Sequence, residues 1–132
     1  MKILIADDHE TVRKGVWAIL TTYLQPEHCE EAANGQEAIT KALALQPDLI
    51  LLDVTMPVMN GFAAAQELKK LLPHIPILFL TMHGGDSFVS EARRTGVRGV
   101  GTKDHVGEVL VDAVKALLNG ETFFPPYAAV PG

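Results

Sequence analysis

Five short apolar runs punctuate this chain, at Ile3–Ala6, Cys29–Ala33, Leu49–Leu52, Ile77–Leu80 and Gly99–Thr102. Longer segments with helical periodicity separate them. Val12, Val16, Ile19 and Tyr23 form one stripe; Ala38, Ile39, Ala42 and Leu43 a second; Phe62, Ala65, Leu68 and Leu72 a third. Phe88, Val89 and Ala92 give a weak fourth, and Val106, Val109, Leu110, Ala113, Val114 and Leu117 a strong fifth. A strand that must cross a helix before the next strand can pair only in parallel. The unbroken Ile50-Leu51-Leu52 run is what a strand covered on both faces requires. Five strand–helix units therefore predict an α/β fold with a parallel five-stranded sheet.

Boundary residues agree with this division. Asn34 followed by Glu37 has capping-box spacing, and Asn60, Asp86 and Asp104 are suitable helix caps. Pro47 and Pro73 stop the second and third helices, and Gly96 and Gly120 follow the fourth and fifth. With 132 residues the chain is one domain with a genuine core, and its formal charge of -5 argues against a nucleic-acid surface within it. No apolar stretch reaches membrane-span length, and no signal peptide is evident. The single Cys29 excludes an internal disulfide. The five histidines show no pair at the spacing of helical metal ligands, so a histidine metal site is not expected. A cytoplasmic protein is the simplest reading.

The residues that end the runs carry the chemistry. Asp7-Asp8 follow the first, Asp53 the third, Thr81 the fourth and Lys103 the fifth. Taken singly, an Asp after a strand is a turn or cap residue, a Thr reflects β-propensity, and a Lys is solvated. Together they converge on the carboxyl edge of the sheet, where an open parallel α/β fold places its ligand site. Four of five strands deliver polar groups there.

These motifs resemble the receiver domain of bacterial two-component response regulators. The resemblance rests on Asp7-Asp8, LLDVTMPVMNG at 51–61, LTMH at 80–83 and Thr102-Lys103-Asp104, with 28 residues from Asp53 to Thr81 and 22 from there to Lys103. It covers about residues 1–120, leaving 121–132 as a tail or the start of an interdomain linker. The DDH start, the TMH and a Lys followed by Asp are similar to the subgroup whose receivers precede a LuxR-type helix-turn-helix domain. The resemblance implies a flavodoxin-like (βα)5 fold, strand order 2-1-3-4-5, with helices on both faces.

That order would crowd Asp7, Asp8 and Asp53. Two carboxylates about 4 Å apart repel by roughly 4 kcal/mol at an effective dielectric of ~20, so the cluster needs a cation or a shared proton. Hard carboxylate oxygens suit Mg²⁺. The resemblance implies that Asp53 is the phosphoacceptor, charged by a sensor histidine kinase or phosphotransfer protein. Asp8, Asp53 and the Thr55 backbone carbonyl would ligate Mg²⁺, with Asp7 acting through water. Thr81 and Lys103 would bind phosphoryl oxygens and act as the switch, and Thr55 and His83 would tune dephosphorylation. The helix around 87–95, with the weakest stripe, would move. The family also leaves room for a homodimer.

Three departures stand out. Val100 occupies a position where many members carry Tyr or Phe, so coupling from Thr81 outward must use something else. Gly101-Thr102 replaces two apolar residues, which predicts a short or loose fifth strand. No helix-turn-helix follows; ETFFPP at 121–126 resembles the linker to a DNA-binding domain, so DNA would be reached only through a missing domain. The chain would not be an enzyme in the ordinary sense, beyond its own phosphorylation and slow dephosphorylation. The alternative is a magnesium-dependent phosphatase of the haloacid-dehalogenase type, but its second Asp would stand at Thr55. A nucleotide-binding module lacks a Walker A or Gly-x-Gly-x-x-Gly run after the first strand. A receiver that no longer switches and only dimerises is the third reading.

Overall fold

A computed structural model describes residues 1–82, 85–103 and 106–125. The elements run β1 (Lys2–Ala6), α1 (Glu10–Tyr23), β2 (His28–Ala32), α2 (Gly35–Leu45), β3 (Leu49–Asp53), α3 (Gly61–Leu71), β4 (Ile77–Thr81), α4 (Asp86–Arg94), β5 (Gly99–Thr102) and α5 (Val106–Leu118). All strands are parallel, in the order β2-β1-β3-β4-β5. This is the flavodoxin-like arrangement expected from the motifs.

The continuous apolar runs are explained by two cores, one on each sheet face. Ile3, Ile5, Leu49, Leu51, Leu78 and Leu80 point to the side covered by α1 and α5. Leu4, Ala6, Ile50, Leu52, Ile77 and Phe79 point to the side covered by α2, α3 and α4. Successive strand side chains alternate faces, so a strand buried on both sides needs every position apolar. Full burial of β3 and β4 follows.

The helix stripes are mostly as read, with corrections. Val16 and Leu20 are the buried residues of α1, whereas Tyr23 is exposed. Leu43 is exposed while Ala38, Ile39 and Ala42 are buried. The outer residues of a stripe lie at the solvent boundary, where periodicity alone cannot separate half-buried from exposed.

Asn34 Oδ1 accepts the Glu37 N–H at 2.8 Å and Asn60 Oδ1 accepts the Ala63 N–H at 2.9 Å, so both expected caps form. Glu37 reaches back to the Ala33 N–H at 3.2 Å, one residue before the Asn34 amide that a capping box would use. Asp86 is not a cap: Gly85 holds that position, and Asp86 lies in the first turn, where its charge complements the helix dipole. Asp104 lies outside the described residues. Gly96 and Gly120 take positive φ values of 88° and 85°, which turn the chain out of α4 and α5.

Gly61 fixes the β3–α3 loop. A Cβ there would collide with the Asp53 carbonyl oxygen and lie 2.7 Å from the Val54 Cα. Its amide donates to the Val54 carbonyl at 2.8 Å, folding the loop back on the strand end. Gly61→Ala should destabilise the fold by about 1–3 kcal/mol, because backbone must shift to admit the methyl group. Gly15, mid-helix with open space around it, should respond oppositely: Gly15→Ala should gain about 0.5–1 kcal/mol. Urea unfolding midpoints of the two variants test the contrast.

Candidate functional site

β1 and β3 are neighbours, with Ala6 opposite Leu52, so the next residue on each delivers a carboxylate to the same edge. Asp7 is fully buried and Asp53 is 3 % exposed. The Lys103 ammonium, just beyond β5, lies 2.9 Å from Asp7 Oδ2 and 3.0 Å from Asp53 Oδ1. Thr81 closes β4 beside them and is buried. The structure therefore brings together Asp7, Asp53 and Lys103 in direct contact, with Thr81 at the adjoining strand end.

Asp8 sits at the rim of the same pocket. One ligand atom each from Asp7, Asp8, His9 and Asp53 lies within 4.8 Å of the others, a spacing one cation can bridge. The cap of α1 is His9, so Asp8 does not serve as an N-cap. The His9 N–H donates to Asp7 Oδ1 at 2.8 Å, an Asx-type turn that fixes this carboxylate, and His9 Nδ1 lies 3.1 Å from Asp8 Oδ1. Scattered spacing had given no reason to expect a histidine here; His9 enters only because the chain turns at Asp7.

The sequence reading also missed Arg13 and Glu31. Arg13 Nη1 donates to the Asp7 backbone carbonyl at 2.6 Å, and its Nε donates to Glu31 Oε1 at 2.8 Å. Lys14 completes the group with a 2.8 Å bond to Glu31 Oε2. Burial acts to raise the Glu31 pKa, but bonds from Lys14 and Arg13 outweigh it and hold the carboxyl below its ordinary value. Arg13 thus props the β1–α1 turn from below. An Arg on α1 facing an acidic β2 was the available signal, unreadable without knowing that the two elements meet.

The loop after Asp53 is pinned along its length. Met56 is buried in the core, and the Met59 N–H donates to the Pro57 carbonyl at 2.7 Å around Val58, whose φ is +69°. That is a γ-turn, a strained conformation for a β-branched residue. The Thr55 amide donates to the Asp53 carboxylate, and the Thr55 side chain is exposed. Val100 is fully buried in the second strand pair outward, opposite Phe79. His83 lies outside the described residues.

Burial raises the Asp53 pKa, the Lys103 bond opposes this, and the Asp7 charge adds to the rise. Burial alone would depress Lys103, but bonds to Asp7 and Asp53 overcome it and raise its pKa. The three crowded carboxylates are therefore already partly neutralised by an internal cation.

A family model described as the response regulator receiver domain matches residues 3–115. The chain belongs to the response-regulator receiver family. This receiver is 41 % identical over 130 residues to the response regulator protein VraR of Staphylococcus epidermidis, covering 98 % of this chain and 62 % of that protein. VraR of Staphylococcus aureus matches with the same identity and coverage. The chain thus spans less than two thirds of the curated relatives it matches. Among solved structures, a LuxR-family two-component response regulator from Aurantimonas sp. aligns with TM-score 0.84 at 31 % identity, over 95 % of this chain and 89 % of that one. The isolated receiver of RcsB from Salmonella enterica serovar Typhimurium in the apo form aligns with TM-score 0.86 at 25 % identity, over 96 % and 93 %. The receiver thus falls in the LuxR-type subgroup. No helix among its described residues is long and apolar enough to cross a membrane.

The electrostatics generate a stability prediction. With its folded pKa raised, Asp53 costs stability when ionised, and that cost disappears as pH falls and the folded state takes up the proton. Asp53→Asn should therefore unfold at higher urea than the parent in EDTA at pH 7, by about 1 kcal/mol, with Lys103 limiting the gain. The advantage should shrink as pH falls towards 4. An Asn variant less stable than the parent at pH 7 would show that the Lys103 pair outweighs the repulsion.

Proposed function

We propose that this receiver accepts a phosphoryl group on Asp53 from the phosphohistidine of a sensor kinase or phosphotransfer protein, in a magnesium-dependent reaction. The observation that carries the reading is the buried Asp53 carboxylate held at a shared strand edge with Asp7, Asp8 and a captured lysine. An isolated buried carboxylate would simply stay protonated; a clustered one facing an ammonium is built to handle charge.

The donor set fits Mg²⁺: hard oxygens, two of them on buried carboxylates, at a spacing one ion can bridge. Asp8, Asp53 and the Thr55 carbonyl would ligate it and Asp7 would act through water. When bound, the ion would supply charge neutralisation between the carboxylate and the incoming phosphoryl group. Asp53 supplies the attacking oxygen: a P–O bond forms to it as the donor's P–N bond breaks, and the electron pair leaves with the imidazole nitrogen. Lys103 would then exchange its Asp53 contact for a phosphoryl oxygen, and Thr81 would hydrogen-bond another. Drawing both inward would shift the segment after β4 and α4 with it, a population shift driven by new contacts.

Turnover as a phosphatase is disfavoured because Thr55 stands where the second acid would be. Residues 1–120 would act as the phosphoacceptor domain and 121–132 as a linker, with transcription controlled in the cytoplasm through a DNA-binding domain. The receiver's match to part of longer regulators supports this output.

Incubation with acetyl phosphate and Mg²⁺ should add one phosphoryl group by intact-mass spectrometry, absent in Asp53→Asn; addition that persists in the variant moves the site elsewhere. Multiple-turnover hydrolysis of phosphate monoesters would favour the phosphatase reading instead. A second outcome concerns Lys103. Because its ammonium competes for Asp7 and Asp53, Lys103→Ala should bind Mg²⁺ at least as tightly as the parent. It should nevertheless lose the phosphorylation-dependent amide shifts between residues 85 and 103. Loss of magnesium binding with a retained spectral response would reverse the assignment.

A further inference from the structure

The chain does not leave the fold at the end of α5. Gly120 and Glu121 close that helix with N–H bonds to Leu117 and Ala116, and the Arg98 Nη2 donates to the Gly120 carbonyl at 2.5 Å. The next residues turn along the outer edge of β5. The Phe123 N–H donates to the Arg98 carbonyl and its carbonyl accepts the Val100 N–H, both at 2.9 Å, in a parallel bridge to Gly99. Gly99 makes this approach possible, since a Cβ there would sit 2.8 Å from the Phe123 carbonyl oxygen. The two aromatic rings then straddle the sheet. Phe123 packs against the α1/α5 core, and Phe124 packs against the opposite core, which contains Ala92, Val97 and Val100.

Phe124 is also where this segment meets α4. The Arg93 guanidinium stacks 4.0 Å from its ring centroid. At the other end of α4, Phe88 contacts Phe62 and Phe79, with ring centroids 5.6 and 6.2 Å away. Between them α4 buries only Val89 and Ala92. A helix held by two small contacts and two aromatic end-points can slide by an ångström or two, as packed helices do in switching transitions. Such a slide breaks a stack at 4.0 Å more readily than it breaks a core.

We propose that residues 121–125 are a detachable sixth strand which reads the position of α4 through the Arg93–Phe124 stack and carries it to the segment that follows. This role would fill the gap left by Val100, whose small side chain cannot carry the signal outward as a ring would. The strap is docked when α4 is in the position described here and released when α4 moves. The proposal rests on the phosphoacceptor reading for its trigger.

The test uses the full 132-residue chain. Amide exchange at Val100 and Phe123 is followed by NMR before and after treatment with acetyl phosphate and Mg²⁺, and the added mass is read on the same sample. Exchange at both amides should accelerate at least tenfold in the phosphorylated protein, while amides of β3 stay protected. If the mass increases and α4 resonances move but Val100 and Phe123 keep their protection, the strap is a static cover and the proposal fails. If no mass is added, the phosphoacceptor reading fails and the trigger with it. Phe124→Ala, without any phosphodonor, supplies a separate arm through reciprocity of coupling. It should move the Phe88–Ala92 amide resonances towards their phosphorylated positions. Resonances that stay in place while exchange at Phe123 rises would overturn the coupling.

Discussion

The Lys103 ammonium between Asp7 and Asp53 is the contact on which the carboxyl edge of this sheet depends. It joins the ends of β1, β3 and β5, which are not all neighbours, and it does so in a place where no group can remain charged alone. Buried ion pairs add little net stability when desolvation is counted, but removing the lysine would leave two buried carboxylates facing each other. The arrangement is therefore better understood as a held position than as a stabilising one. An entering cation must compete with the lysine for two carboxylates, and an entering anion with the carboxylates for the lysine, which makes the pocket responsive to occupancy.

Most of the architecture was legible because it is set by burial. Strands covered on both faces need continuous apolar residues, and β3 and β4 have them; helices between parallel strands need stripes, and all five were visible. The convergence of Asp7, Asp8, Asp53, Thr81 and Lys103 at one edge followed from their positions after the runs. What could not be read was set by contacts between elements distant in sequence. Arg13 reaching Glu31, His9 joining the acids, and Gly61 lying against the Asp53 carbonyl all depend on how elements meet. Asp86 was misread for a local reason. Asp suits both the cap and the first turn, and only the backbone shows that Gly85 holds the cap.

The segment read as a tail or the start of a linker holds its first residues against the sheet. Its prolines drew attention away from Glu121–Phe124, where two adjacent aromatic residues have the alternation a strand needs to bury one ring on each face. The chain stays against the sheet beyond the end of α5, because a helix-terminating turn at Gly120 redirects it rather than releasing it.

The two borders of the sheet also differ in how they avoid self-association. β2 forms one border and reads His-Cys-Glu-Glu-Ala; Glu31 pairs there with Arg13 and Lys14 and Glu30 with Lys41, and charged side chains of this kind blunt a sheet edge. β5, with its glycines and valine, has no such charges, and Phe123 covers the Val100 N–H and the Arg98 carbonyl on its outer side. A fragment cut after Gly120 would uncover the Val100 N–H and the Arg98 carbonyl for pairing with another chain. The segment that follows the last helix thus also shields this border from a second chain.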